Sequence, residues 1–87
     1  MKAHDAYISR EKHFVLGFDS DSEKYYLAFP VTIGVVDYDE YYELDESTYH
    51  AWLADPDLAL PFLAEARNRE HDELLIQKPG WNRGIPY

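Results

Sequence analysis

Two stretches of alternating apolar residues, joined by four small polar ones, constrain this chain more than anything else in its sequence. In His13-Phe14-Val15-Leu16-Gly17-Phe18, the side chains of Phe14, Leu16 and Phe18 share one face, and Tyr25, Leu27 and Phe29 do the same between Lys24 and Phe29. A period of two marks a half-buried strand. Asp19-Ser20-Asp21-Ser22 reads as the turn between them, so a β-hairpin is the simplest connection. Pro30 cannot donate to a ladder, and the expectation is that it ends the strand or sits at an edge.

The neighbouring segments extend the pattern. Val31 to Val36 is rich in β-branched residues and favours another strand, interrupted or bulged at Gly34. Beyond it, Asp37-Tyr38-Asp39-Glu40 reads either as a tight turn with Tyr41–Leu44 returning as a short strand, or as part of one longer irregular strand from Val35 to Leu44. Asp45 is a suitable N-cap with Glu46 in the first turn, and Tyr49, Trp52 and Leu53 fall at helical spacing, which predicts a short helix over 46–54. Asp55-Pro56-Asp57 repeats the same opening with Asp55 as N-cap, and Pro61 predicts a kink or a restart at Leu60-Pro61, with an apolar stripe of Phe62, Leu63 and Ala66 running on to about Arg69. Leu74-Leu75-Ile76 reads as a last short strand, the alternative being a helical docking segment.

At 87 residues, with no sharp shift in composition, the chain is expected to be one domain, with 1–11 and 78–87 as irregular terminal segments. Trp81 and Tyr87 suggest that the tail packs down, the alternative being an ordinary frayed terminus. Hydrophobic residues at 46% and aromatics at 16% argue against global disorder despite the net charge. A chain this short buries only roughly 60–65% of its unfolded surface, which leaves little room for a deep substrate cavity. The fold class predicted is α+β: a three- to five-stranded, mainly antiparallel sheet with two short helices packed on one side.

Cysteine is absent, so neither disulfides nor a thiolate zinc site are available. His4, His13, His50 and His71 share no metal-binding spacing, and Asp19, Asp21 and Glu23 depart from a calcium loop at Lys24 and Pro30, where Gly and Glu would be needed. No metal and no cofactor is therefore expected. Ser9, Ser20, Ser22 and Ser47 lie where turns and caps explain them, and Gly17, Gly34, Gly80 and Gly84 are too scattered to cradle a phosphate. Met1-Lys2-Ala3-His4-Asp5 leads into polar sequence without an apolar run of signal-peptide length, so a soluble, cytoplasmic protein is expected.

Charge is distributed unevenly. Between Lys24 and Arg67 there is no lysine or arginine, yet nine acids occur: Asp37, Asp39, Glu40, Glu43, Asp45, Glu46, Asp55, Asp57 and Glu65. The flanks balance, so the whole formal charge of −9 resides in this window, which also holds six of the eight tyrosines. Such a charge disfavours direct contact with nucleic acid or anionic membranes and leaves a basic protein as the partner class with a positive electrostatic argument. Caps and first-turn charges account locally for Asp45, Glu46, Asp55 and Asp57, and Glu65 lies within reach of Arg69 at i+4.

Asp37 to Glu43 has no such local account. Strand alternation there places Asp37, Asp39, Tyr41 and Glu43 on one face and Tyr38, Glu40, Tyr42 and Leu44 on the other, leaving Tyr41 among carboxylates. Acid–base catalysis needs carboxylates in differing environments, which a crowded solvent-facing strip does not offer, whereas exposed tyrosine among charges suits an interface. Aromatic residues also favour strands for packing reasons alone.

The segments Tyr25-Tyr26-Leu27-Ala28-Phe29-Pro30-Val31, Val36-Asp37-Tyr38-Asp39-Glu40-Tyr41-Tyr42-Glu43-Leu44 and Tyr49-His50-Ala51-Trp52-Leu53-Ala54-Asp55-Pro56 resemble, in order, acidity and general arrangement, small bacterial immunity proteins of polymorphic toxin or contact-dependent growth inhibition systems. The resemblance covers roughly residues 13–76 and implies a non-enzymatic, cytoplasmic inhibitor in a tight one-to-one complex with a cognate toxin domain, in many cases a basic nuclease. The residues themselves, by charge and alternation, give Asp37, Asp39, Glu40, Tyr41 and Glu43 as the expected contact core, with Asp45, Glu46, Asp55 and Asp57 as rim or steering charges. The alternative is a regulatory or nucleic-acid-mimic module for a basic cellular protein.

Overall fold

The predicted hairpin of alternating residues is the centre of the sheet. In the computed structural model, which describes residues 2–33, 36–76 and 85–86, strands β1 (Ala3–Ser9), β2 (Phe14–Asp19), β3 (Lys24–Ile33) and β4 (Val36–Leu44) run antiparallel in the order β1-β2-β3-β4. Two helices follow, α1 (Glu46–Ala54) and α2 (Leu60–Arg67), the second preceded by a 3₁₀ turn at Pro56–Ala59. The fold is α+β, as the sequence predicts, with an open sheet.

The helices cover one face. Phe14 and Leu16 of β2, Leu27, Phe29 and Val31 of β3, and Tyr42 and Leu44 of β4 form one buried cluster with Tyr49 of α1 and with Ala59, Leu63 and Ala66 from the second helical segment. The Tyr25 and Tyr49 rings stack at 4.3 Å, and Phe62 meets Tyr42 edge-on at 6.1 Å. Arg67, at the end of α2, lies 5.7 Å over the Phe29 ring and donates from Nη2 to the carbonyl of Lys12 at 2.7 Å, tying the helix to the β1–β2 loop.

Several boundaries differ from the sequence reading. The first residues are not irregular: Ala3–Ser9 is an edge strand whose register with β2 slips between Asp5 and Tyr7. That slip inserts Ala6 as a bulge, so Asp5 and Tyr7, which alternation would put on one face, turn to opposite faces. Tyr7 joins Phe14 on the helix side, their rings 5.9 Å apart, and this explains why a period of two does not show in the sequence.

Pro30 ends nothing. It lies within β3 opposite Asp39, at a level where β2 has already finished its pairing at Val15 and Ala28. No ladder bond is required of a proline amide on that vacated side. Ile85–Pro86, which we label β5, pairs Thr32 and Val31 just beyond, so this end of the tail is strand and not irregular. Gly34, Trp81 and Tyr87 lie outside the described residues.

Of the two readings of 37–44, the longer strand is correct: β4 pairs β3 continuously from Val36 to Leu44. The restart at Leu60-Pro61 is present as the change from 3₁₀ to α geometry. Leu74-Leu75-Ile76 does not form a full strand. A 3₁₀ turn at Asp72–Leu74 brings Leu75 into a single bridge with Tyr42, and the Ile76 amide donates to the Tyr41 carbonyl at 2.9 Å. No helix among the described residues is long and apolar enough to cross a membrane.

Candidate functional site

Nine paired residues hold β4 straight, so its side chains alternate without slip. Asp37, Asp39 and Glu43 are exposed and Tyr41 is half-buried, while Glu40, Tyr42 and Leu44 are buried on the helix side. The predicted division of faces therefore holds. No described helix covers the face that carries Asp37, Asp39 and Tyr41.

One member of the expected contact core is misplaced by that alternation. Glu40 is only 5% exposed and accepts a hydrogen bond from the Tyr42 hydroxyl at 3.1 Å, so it belongs to the interior and not to a contact surface. Glu43 is on the open face but is not a bare charge. Lys24, which closes the basic-free window in sequence, folds back beside it with Nζ 3.2 Å from Oε1.

The open face is organised around two tyrosines. Tyr26, fully buried, lays its ring across Gly17 of β2 and donates from its hydroxyl to Asp5 of β1 at 2.5 Å. Gly17 is required there. A Cβ at this position would stand 2.4 Å from the Tyr26 hydroxyl oxygen and 2.4 Å from the backbone oxygen of His4. Tyr41 meets Tyr26 edge-on, centroids 4.8 Å apart at 83°, and the Asp39 carboxylate acts on its hydroxyl.

Two carboxylates, Asp5 and Asp39, are thus brought from separate strands to either side of a tyrosine pair. The electrostatics of Asp39 and of the two tyrosines record the crowding. Loss of water pushes the Asp39 carboxyl above the usual aspartate range and the charge of Asp5 adds to the rise, while the Tyr41 hydroxyl opposes it. The Tyr41 hydroxyl is raised by burial and then by Asp39 and Asp5, and Tyr26 is raised by burial and by its bond to Asp5. A cation placed on this face would relieve the repulsion that the free protein carries.

The remaining acids of the window belong to the helical layer. Asp45 caps α1, accepting from the Thr48 amide at 2.7 Å, and hydrogen bonds from Thr48 and Ser47 lower its pKa. Glu46 stands 3.8 Å from His50. Asp55 makes no side-chain cap for the segment that follows it, contrary to the sequence expectation, and Asp57 is exposed in the 3₁₀ turn. Glu65 pairs His71 at 2.8 Å. None of these joins Asp37 and Asp39 on the open face.

The strip is also less uniform than the sequence suggests, since Asp39 is shifted up and Asp45 down. A hollow of about 200 Å³ opens beside Asp39, where Arg10, His13, Val15, Ala28 and Pro30 line it. Its only hydroxyl among the lining residues, Ser9 Oγ, is engaged by the Lys12 amide at 3.1 Å. No group of three or more His, Asp or Glu side chains suited to a metal ion occurs among the described residues.

Asp5 and Tyr26 are the site residues that sequence reasoning missed. The available signal was Gly17, a glycine inside an otherwise apolar alternating strand, which marks a place where something crosses closely. Searches with protein-family models, against curated proteins and against solved structures returned no match.

Proposed function

We propose that the chain is an inhibitor-type binding protein that docks a basic protein domain on the helix-free face of its sheet, and that the partner is a bacterial toxin domain neutralised by a one-to-one complex. The observation that carries this reading is the convergence of Asp5 and Asp39 on the Tyr26–Tyr41 pair, on a face no described helix covers. Tyr41 supplies rigid amphipathic contact area, and Asp37 and Asp39 supply exposed charge. Excess negative field would accelerate encounter with a basic partner by roughly 10- to 1000-fold. Charge pairs desolvated in the complex couple by about 1.5–7 kcal/mol each, which suits fast, lasting capture. The contact set is refined accordingly to Asp5, Asp37, Asp39 and Tyr41, with Glu43 shared with Lys24 and Glu40 withdrawn.

A toxin domain is favoured over other basic partners by the sequence resemblance, and a cytoplasmic site of action follows from that reading. The test is retrieval of the partner from the native host on the immobilised chain, followed by titration against the Asp37→Asn/Asp39→Asn double variant. A toxin domain bound about tenfold or more weakly by a folded double variant at low salt is the expected result. Equal affinity would remove the open face as the docking surface, and recovery of a chromosomal DNA-binding protein instead would replace the toxin with a cellular partner.

A further inference from the structure

A second concavity lies on the helical side, where β4 ends. Glu43, Leu44, Asp45, Thr48, Trp52, Phe62 and Leu74 line a groove of about 510 Å³, within the size range of ligand sites. Trp52 and Phe62 give it aromatic walls, ring centroids 5.4 Å apart and inclined at 54°. Leu44 and Leu74 complete the apolar lining, and the charged groups on it are both carboxylates. Asp45 is held ionised by the hydrogen bonds of its cap. Lys24, the cation beside Glu43, belongs to an exposed pair, and such pairs contribute little and exchange readily.

The geometry points to this groove as the anchor site for one arginine side chain of the basic partner. Aromatic faces with carboxylates beside them suit a guanidinium, which is weakly hydrated, stacks on rings and meets carboxylates through a planar fork. A lysine ammonium is more strongly hydrated and has no face to stack, and an apolar side chain would draw nothing from the two carboxylates. Glu43 lies both on the open face of β4 and in the groove wall, so a partner seated on Asp37, Asp39 and Tyr41 can reach round the end of the strand into it. This inference rests on the reading that the partner is basic, but it assigns a different set of residues.

The test needs no partner protein. The full chain, isotopically labelled, is titrated with N-acetyl-arginine N-methylamide and, in parallel, with its citrulline and leucine counterparts, following the Trp52 indole and the Thr48 amide by NMR. Asp45 is left intact because it caps α1. The arginine amide is expected to shift both signals and to bind about three- to tenfold more tightly than the citrulline amide, with that margin reduced in Glu43→Gln and in Trp52→Leu. Equal or tighter binding of the citrulline or leucine amide overturns the proposal in favour of an apolar occupant. Shifts confined to Tyr41 and Asp39 overturn it while leaving the open-face reading intact, and no shift with any amide overturns it as well. Loss of partner binding in Asp37→Asn/Asp39→Asn without any loss in Trp52→Leu would separate the two surfaces in the same way.

Discussion

On the helix side of the sheet, Leu16, Leu27 and Tyr42 lie in register across three strands and all are fully buried. One residue further along the same strands, on the opposite side, the equivalent row is Gly17, Tyr26 and Glu43, with Asp5 beyond it. The first row fills space with apolar volume. The second leaves a gap at Gly17, runs one tyrosine ring through it and ends on carboxylates. Helix-side stability therefore depends on volume, whereas on the open side it depends on hydrogen-bonded polar groups and one absent methyl group.

The largest loss of stability is expected on the apolar side. Leu27→Ala should lower stability by about 3 kcal/mol, read as a fall in urea midpoint at unchanged slope, because the row has neighbours on both sides that hold the cavity open. A loss below about 1 kcal/mol would mean that the helices collapse onto the gap. Gly17→Ala should cost about 1–3 kcal/mol despite adding a single carbon, since the new atom meets the His4 backbone. It should also release Tyr26 from Asp5, lowering the tyrosine pKa that burial and Asp5 now hold up, which absorbance titration would detect.

Two aspartates on this side sharpen the contrast. Asp19 is only 2% exposed, and hydrogen bonds from the Ser22 side chain and the Lys2, Asp21 and Ser22 amides bring its pKa down to about 2, outweighing burial. A depressed folded pKa contributes stability that is present above the unfolded value of about 3.9 and lost as pH falls through about 2. Asp19→Asn should therefore lower the urea midpoint at neutral pH, with the difference from the parent shrinking as the solution is acidified. Asp39 has the opposite sign. Its raised pKa means that the folded state favours the protonated form, so stability is greatest below the unfolded pKa and declines as pH rises through the folded one. Asp39→Asn should leave the midpoint at pH 7 unchanged or slightly higher, within about 0.5 kcal/mol. A clear destabilisation would show that Asp39 serves the fold and not a partner.

What could be read beforehand follows from how locally each feature is encoded. The β2–β3 hairpin and α1 were legible because Phe14, Leu16 and Phe18 repeat within one strand and because Asp45 caps the helix it precedes. β1 was not, since its bulge at Ala6 breaks the repeat and its only signal would have been the partner strand. Pro30 is at a local edge, the second of its two readings, and the choice between them could not be made locally because the end of β2 is a property of the assembled sheet. Alternation puts Asp37, Asp39 and Tyr41 on one face of a strand, and the unbroken register of β4 keeps them there. Glu40 shows that register outranks charge: the same alternation puts it with Tyr42 and Leu44, and it is buried with them. Asp5 and Tyr26 meet across three strands, a separation that no local pattern encodes.

The bulge at Ala6 also bears on how the molecule behaves in a crowd. A straight outer strand offers its free amides and carbonyls as a template on which another chain can extend the sheet. In β1 that row is interrupted halfway, and in β4 the contact of Leu75 and Ile76 with Tyr42 and Tyr41 occupies part of the opposite border. Along β1 and β4, then, the described borders of the sheet are broken as templates for strand addition.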